Sequence, residues 1–406
     1  MENTETSAAQ SRTSLKEAIK DAIPDDWGMV LSATAASYGI GLLALLGLPF
    51  MVGSTMDGLG LSESKAGFLG TAEFLAIMLS SIMVSPFVSR APRRTLAFLG
   101  LVLALAGNIL CVYQDQATYN SLLVFRIIAG IGCGMTLAVG NATVSNSKDP
   151  ERMAAQMAVL FVTLMAITML VFSWASEAWG YKGMYGALAI CMLLVSPLLL
   201  KLPQYAIEQL PSDEHPHAHQ RLLSMTSLLV LSAMFLFAMR DMSGWAFVER
   251  IGLDVGYTAG EIGFLLSIQS LVGISGPFIA AVIGARFGLK IPITIGIIGS
   301  GLVYSLMLLM TSSQLAYTVT AMFISGTYFY TLAYLTALAA ELDSKGRIAA
   351  ASGGFLSAGM ACGPLVGGYL IEQFGYSGTS WFILGMAALT LVCALAALRA
   401  MHMKRS

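Results

Sequence analysis

A glutamate lies in the middle of an otherwise apolar stretch of the chain. The stretch reads GFLGTAEFLAIMLSS, from Gly67 to Ser81, and eleven of its fifteen residues are glycine, alanine or bulky apolar types around Glu73. An ionisable side chain inside a membrane costs about 3 kcal/mol or more and is a functional candidate by default. Glu73 is therefore a candidate for proton exchange or for contact with a solute. The alternative is a structural ion pair or hydrogen bond to a neighbouring helix.

Three further ionisable residues lie within long apolar runs, namely Arg126, Arg240 and Asp241. The arginines suit attraction of an anion, and Arg126 also suits control of the charge on Glu73, although a fixed structural arginine is the alternative. Arg240 and Asp241 are adjacent, so their side chains point about 100° apart on a helix. At most one of them is expected to face a cavity. The alternative is that both are solvated near the membrane surface.

The composition points to lipid as the main solvent of the protein. The chain has 406 residues, of which 56% are hydrophobic and 11% charged, with a mean hydropathy of +0.75. A soluble domain carries about 25% charged residues. The five cysteines fall in apolar runs without metal-ligand spacing, and no HExxH or GxSxG motif occurs in a plausible context. We therefore predict no enzyme activity, no cofactor, no metal and no nucleic-acid partner.

Runs of about 20 apolar residues are long enough to cross a bilayer as helices. The sequence contains twelve, near 28–52, 64–88, 95–113, 120–144, 153–176, 184–201, 222–250, 258–284, 291–311, 314–339, 349–371 and 380–400. They divide the chain into an N-terminal tail (1–27), a first group of six spans (28–202), a linker (203–221), a second group of six (222–400) and a C-terminal tail (401–406).

The basic residues predict how these spans are oriented. With the N-terminus in the cytoplasm, seventeen Lys and Arg residues fall in inside segments, and two, Lys65 and Lys182, fall outside. The remaining three are Arg126, Arg240 and Arg250, within or at the ends of spans. Positive charge is retained on the cytoplasmic side. We therefore predict a multi-pass protein of the cell membrane, the inner membrane of a bacterium, with both termini cytoplasmic. Glu249 and Arg250 are interpreted as interfacial.

The two halves of the chain repeat each other. Gly67 aligns with Gly263, an offset of 196 residues (263 − 67), and the same offset aligns Arg90 with Arg286 and Gly130 with Gly326. The pentapeptides WGYKG at 179–183 and FGYSG at 374–378 align at an offset of 195 (374 − 179). An even number of spans in each half gives a parallel repeat, which is one of the standard architectures of secondary transporters.

At this point the chain resembles the major facilitator superfamily, from about residue 28 to 400. The loop after the second span, SPFVSRAPRR, matches the basic positions of that family's motif with Arg90, Arg93 and Arg94. Ser85 and Pro92 replace its glycines, and Ser89 replaces its aspartate, so the loop lacks the carboxylate on which that family's charge network is built. The resemblance still implies that the loop is a cytoplasmic latch, and Arg90, Arg93 and Arg94 are expected to act on conformational switching.

Two further motifs consist of small residues. The fourth span reads RIIAGIGCG, which fits the family's arginine followed by spaced glycines, here Arg126, Gly130 and Gly134. Small residues allow close helix packing, and Gly130 and Gly134 are expected to act on conformational switching. The eleventh span reads GMACGPLVGG, similar to the Gly-Pro signature that drug–proton antiporters carry in the fifth span. The fifth span of this chain has no Gly-Pro, which disfavours a typical drug antiporter. We expect Gly363, Pro364 and Gly367 to act on conformational switching, at the contact between the second and eleventh spans.

The resemblance implies an all-α membrane protein with twelve transmembrane helices in two pseudo-symmetric six-helix bundles. It implies transport by alternating access, with bundles that meet through the second and eleventh and through the fifth and eighth spans. Proton coupling would fall to Glu73, in a partly aqueous cavity, and to Asp241. Solute contact is predicted for residues of both halves, although the tyrosines have packing as the alternative: Arg126, Arg240, Gln269, Trp245, Tyr328, Tyr330 and Tyr334.

Two arginines in one cavity favour a small organic solute that is anionic or amphipathic. We predict a monomer with a small-molecule substrate, protons and the lipid bilayer as its partners, and proton-coupled uptake as its activity. Proton-driven efflux of drugs or metabolites remains open as the alternative. A membrane sensor that uses a transporter scaffold without transport is the alternative of another class.

Overall fold

The computed structural model describes residues 26–115, 118–145, 147, 149–205, 224–284, 286–342 and 347–405. Most of the predicted N-terminal tail, 1–27, and most of the predicted linker, 203–221, lie outside these residues. Within the described part the chain is almost entirely helical, and ten helices are long and apolar enough to cross a membrane. Two of the ten are hairpins of two spans each, so the helical spans number twelve, as predicted.

The spans are named α1 to α12 in chain order. Their bounds are α1 Trp27–Leu59, α2 Glu63–Phe87, α3 Arg93–Val112, α4 Tyr119–Ser145, α5 150–179, α6 181–201, α7 Met225–Asp254, α8 Ala259–Ile283, α9 Lys290–Leu309, α10 Gln314–Leu342, α11 347–374 and α12 376–405. A π-helical segment, Ala35–Gly41, lies within α1.

Two glycines turn the chain inside the hairpins. Gly180 has φ 59° and ψ −147°, and Gly375 has φ 65° and ψ −173°. Side-chain-bearing residues avoid this region of positive φ, whereas glycine adopts it readily. The two glycines are the equivalent positions of the WGYKG and FGYSG pentapeptides, so the sequence repeat corresponds to a repeated turn in the structure.

The two halves meet along two helix pairs, α2 with α11 and α5 with α8. In the first pair the backbone N–H of Leu365 donates to Oγ1 of Thr71 at 3.0 Å. In the second, Gly263 of α8 lies directly against Ser173 of α5. Glycine at such points lets two helices approach closely. These are the helix pairs that the resemblance implied.

All of these contacts lie toward one end of the molecule, which we call the closed end. It is the end at which α1 ends and α2 begins. Two more polar contacts cross between the halves there: Arg250 binds Asp57 at 2.7 Å, and the Ser64 N–H donates to Glu372 at 3.0 Å. A third, from Trp245 Nε1 to the Leu45 carbonyl at 3.2 Å, lies nearer the middle of the molecule. The opposite end, at which α2 ends and α11 begins, is called the open end.

Candidate functional site

A cavity separates the two halves from the middle of the molecule to the open end. It has two contiguous lobes of about 510 and 590 Å³, which share wall residues from α1, α4 and α11. These volumes fall in the range of small-molecule sites. The shared wall residues are Leu42, Leu45, Leu137, Asn141, Ser357 and Met360.

The lobe of about 590 Å³ reaches the open end. Its wall includes Ser85 and Pro86, where α2 ends, and Gly353 and Gly354, near the start of α11. These wall residues are solvent-exposed, as is Ile82 one turn deeper. The cavity is therefore accessible from the open end, whereas the helix contacts described above block it from the closed end.

The central lobe carries one acidic residue among aromatic and aliphatic neighbours. Asp241 of α7 lines it together with Trp245 and Tyr328, two of the predicted contact residues. Asp241 is buried, and its Oδ1 has no hydrogen-bond partner among the described residues. An acceptor of this kind suits a solute that donates a hydrogen bond or carries positive charge.

Arg240 points away from this lobe, into the C-terminal half. Its Nη2 donates to Ser300 Oγ at 2.8 Å and its Nη1 to the Ile297 carbonyl at 3.3 Å, both on α9. The guanidinium also lies 5.2 Å from the Phe237 ring centroid. Only one of the adjacent pair thus lines the cavity, as expected from their angular separation. The alternative, that both are solvated near the membrane surface, is wrong because both are buried.

Glu73 and Arg126 form a fully buried ion pair inside the N-terminal half. Arg126 Nη1 also donates to Asn108 Oδ1 at 2.8 Å, and its guanidinium lies 5.0 Å from the ring centroid of Tyr185. Gly130 lies directly on the Glu73 backbone, so α4 contacts α2 closely at this level.

The expectation that Glu73 and the arginines share one cavity is therefore corrected. The α2 helix presents Phe74 and Ile77 to the cavity, whereas Glu73 is turned toward Arg126 of α4, Cys111 of α3 and Tyr185 of α6. Neither Arg126 nor Arg240 is among the residues that line the cavity. The physical reason is that each guanidinium is held by polar partners within its own half.

The other predicted contact residues are divided between the cavity and the helix packing. Gln269 donates to Ser325 Oγ inside the C-terminal half, and Ser325 itself lines the central lobe. Tyr328 stacks on Phe237 with centroids 5.1 Å apart. Tyr330 and Tyr334 contact each other edge to face at 5.1 Å and lie outside the cavity wall.

The basic loop after α2 is tied to its own half of the protein. Arg94 Nε donates to the Leu202 carbonyl at 2.6 Å, and the Arg93 backbone N–H donates to the Gln204 carbonyl at 2.8 Å. Arg93 is buried and Arg90 is exposed. The loop therefore braces the ends of α3 and α6, and its role in switching stays a prediction.

The small residues of α11 face two different neighbours. Gly363 and Gly367 lie on α7 of the same half, at Met242 and Ser243 respectively. Pro364 and Gly368 lie against α2, at Gly67 and Glu63. The expectation that Gly363 and Gly367 form the contact with the second span is thus wrong, since they lie about 100° around the helix from it.

Glu249 is buried between the two halves, which the sequence does not predict. The sequence interpretation places Glu249 at the membrane surface, yet it is only 2% exposed and lies on Gly53 of α1, at the closed end. Helix periodicity gives no signal for this position, because the helix is interrupted at Ala246 and Phe247, between Trp245 and Glu249. Trp245 and Glu249 each contact α1, so this part of α7 meets the other half.

The described residues contain no group of three or more His, Cys, Asp or Glu side chains arranged to hold a metal ion. All five cysteines are free, and Cys111 and Cys133 are buried close to the Glu73–Arg126 pair. The chemistry available in the cavity is therefore that of Asp241, hydroxyl and amide groups, and aromatic rings.

Comparison with known proteins gives a consistent picture of the fold. A family model described as Major Facilitator Superfamily matches residues 28–239 and 229–406. No curated protein matches the sequence significantly. Among solved structures, the nucleoside transporter NupG has a TM-score of 0.70 at 14% identity, covering 91% of this chain and 98% of that chain.

Two other solved structures have the same fold. A D-xylose–proton symporter has a TM-score of 0.69 at 14% identity, covering 91% of this chain and 95% of that chain. A bacterial homologue of the human lysosomal transporter Spinster, in an inward-facing and occupied conformation, has a TM-score of 0.68 at 13% identity. It covers 92% of this chain and 96% of that chain.

Proposed function

We propose that this chain, which belongs to the Major Facilitator Superfamily and is a membrane transporter, moves a small amphipathic organic solute by proton-coupled alternating access. The observation that carries the proposal is the central lobe, in which Asp241 is the one charged residue among the described wall residues. A site of this kind suits a solute with an apolar body and a neutral hydrogen-bond donor or a cationic group. The protein is not an enzyme.

An anionic solute is the less favoured class within this proposal. The sequence argument for an anion depended on Arg126 and Arg240, which lie outside the cavity wall. An ionised Asp241 repels a carboxylate, whereas it attracts an ammonium or guanidinium group. Trp245 and Tyr328 add ring faces to which an apolar or cationic body can bind.

Proton coupling is assigned to two carboxylates, one in the cavity wall and one outside it. Asp241 lies in the wall, where a proton and a cationic group compete for the same oxygen. Glu73 lies in the N-terminal half, where protonation removes the charge that holds Arg126. The D-xylose–proton symporter supports this driving force by fold analogy alone.

A thermal-shift screen of the purified protein tests the solute class. Matched sets of neutral, cationic and anionic amphipathic compounds are compared, because a solute that binds the native state raises the melting temperature. We expect cationic or neutral members to stabilise the protein, and Asp241→Asn to weaken binding of a cationic member about tenfold or more. Asp149→Asn is the matched control, because Asn also caps the helix that Asp149 begins. Stabilisation by anions alone would contradict the proposed class.

Transport in proteoliposomes tests the coupling. A pH gradient is expected to accelerate solute movement by the native protein. The Glu73→Gln and Asp241→Asn variants are each expected to lose this acceleration while Glu73→Gln still binds solute. Full gradient-driven transport by both variants would remove these carboxylates from the coupling mechanism.

Export is the second candidate, and the same lobe favours it. A buried acid among aromatic residues suits lipophilic cations, which cells commonly expel. The direction is tested with sealed vesicles of opposite orientation and a pH gradient of fixed sign. Accumulation of a cationic solute against the proton flow supports efflux, whereas accumulation with the proton flow supports uptake.

A further inference from the structure

The carboxylate of Glu249 is enclosed between the two halves at the closed end. Glu249 extends from α7 of the C-terminal half and lies directly on Gly53 of α1, where an added Cβ would overlap the carboxylate. The residue is 2% exposed, and Oε2 has no hydrogen-bond partner among the described residues. Its surroundings therefore exist only while α1 and α7 are in contact.

The charged neighbours of Glu249 are mostly acidic. Asp57 comes from α1, and Arg250 and Asp254 follow on α7. The Arg250 guanidinium binds Asp57 at 2.7 Å and lies 3.8 Å from Asp254. Arg250, the one cation near Glu249 among the described residues, is thus already shared by two more exposed carboxylates.

The other neighbours of Glu249 in the described part of the chain supply no compensating positive charge. Tyr317 of α10 lies near Glu249, but its hydroxyl donates to the Val248 carbonyl at 2.9 Å. Tyr376 of α12 donates to Asp254. An ionised Glu249 would therefore be a buried acid beside two other acids, with the one arginine engaged elsewhere, which is an unfavourable arrangement.

We propose that Glu249 is a proton-binding site that controls the closed end. The carboxylate takes up one proton from water as α1 and α7 come together, and it returns that proton when they separate and water reaches it. Arg250 keeps its charge and its bond to Asp57 in the closed arrangement. The proposal deepens the proposed proton-coupled transport, on which it rests, and it adds to Asp241 and Glu73 a further proton-binding residue that lies away from the solute cavity.

The sign of the pH effect follows from this linkage. Because only the closed arrangement requires the proton, low pH favours the closed end and high pH favours its opening. For one proton, the ratio of closed to open molecules changes by up to about tenfold per pH unit.

The test measures the distance across the closed end without any solute. Spin labels are attached at Tyr113→Cys, on the N-terminal half, and Ser312→Cys, on the C-terminal half, after replacement of the five native cysteines. Both positions are exposed. Pulsed dipolar distance distributions are recorded in lipid nanodiscs from acidic to alkaline pH. The native sequence is expected to shift toward longer distances as the pH rises.

Three variants separate Glu249 from its surroundings. Glu249→Gln, which resembles the protonated form, is expected to keep the short distance at every pH. Gly53→Ala is expected to shift the population toward longer distances at every pH, because its Cβ overlaps the carboxylate only in the closed arrangement. Glu261→Gln is the control, since Gln preserves the capping box that Glu261 makes with Thr258.

The outcomes of this experiment distinguish the proposal from the proposed function. If the label-to-label distance in Glu249→Gln changes with pH as much as in the unsubstituted protein, the role of Glu249 is overturned. It is also overturned if the distance changes with pH in neither protein. The unsubstituted protein could instead show the pH-dependent distance change that requires Glu249 but no acceleration of transport by a pH gradient. That result would contradict proton-coupled transport but not the proton-binding site at Glu249.

Discussion

Glu73 and Arg126 form an ion pair that solvent does not reach, inside one half of the protein. Two long side chains from α2 and α4 are thereby fixed against each other and against Asn108. The pair is surrounded by helices of the same half, so its strength does not depend directly on whether the halves are apart. At the residue scale, Glu73 therefore has a structural role as the partner of Arg126, which is distinct from its proposed role in proton coupling.

We predict that removal of one member of this pair is more harmful than removal of both. Arg126→Leu leaves a buried carboxylate without its partner and is expected to destabilise the protein by about 3–5 kcal/mol. The double variant Glu73→Leu/Arg126→Leu is expected to be more stable than Arg126→Leu. Unfolding of the purified variants in the same detergent measures the order.

Arg90→Leu is the control for this series, because Arg90 is exposed on the basic loop. It is expected to unfold like the native sequence. If the stability losses of Glu73→Leu and Arg126→Leu add up to that of the double variant, the two residues act independently, contrary to the geometry.

At the scale of helices, α11 uses two adjacent glycines for different contacts. Gly367 meets Ser243 of α7 inside the C-terminal half, whereas Gly368 meets Glu63 of α2 across the two halves. The first contact is expected to persist in every conformation, and the second only while the closed end is intact. The same helix therefore maintains one half and reversibly contacts the other.

We predict that leucine at these two positions has different effects. Gly367→Leu crowds α7 and is expected to lower the melting temperature in all conditions. Gly368→Leu crowds α2 and is expected to open the closed end, seen as faster labelling of a cysteine at Thr71 with less loss of stability. Gly385→Leu on α12 is the control, because an added Cβ there meets no atom of a neighbouring helix within 4 Å.

Reversal of the two results would place the contact between halves at Gly367. It would also restore the original expectation for that residue. Identical effects of both substitutions would mean that α11 moves as one rigid unit with both neighbours.

At the scale of the whole molecule, the cavity and the basic residues together predict which side the solute reaches. The basic loop after α2 lies at the open end, and the basic side of a membrane protein faces the cytoplasm. The structure would then be the state open to the cytoplasm. This orientation remains a prediction because it depends on charge distribution alone.

We predict that a cysteine in the cavity is labelled from the cytoplasmic side. Ser357→Cys, in the wall shared by both lobes, is expected to react with an impermeant maleimide in inside-out vesicles and to be protected in intact cells. Lys182→Cys, at the closed end, is the orientation control with the opposite pattern. Labelling of Ser357→Cys only in intact cells would reverse the assigned orientation.

The sequence by itself determined the architecture of this protein. Apolar runs long enough to cross a bilayer gave the twelve spans, and an offset of 196 (263 − 67) predicted two equivalent halves. These features are local or periodic along the chain, because lipid requires each span to be apolar and to satisfy its own backbone hydrogen bonds. The family model matches both halves, and the transporter class was recognised from the same features.

Only the tertiary structure decided which residues face the cavity. Arg240 and Asp241 are adjacent in sequence, yet one binds α9 and the other lines the central lobe. Likewise Gly367 and Gly368 face different helices, and Glu249 is buried where sequence position suggested an interface with water. The physical reason is that membrane helices are apolar on every side, so hydropathy carries little information about rotation. Rotation is set by close packing and polar partners on neighbouring helices, which are distant in sequence.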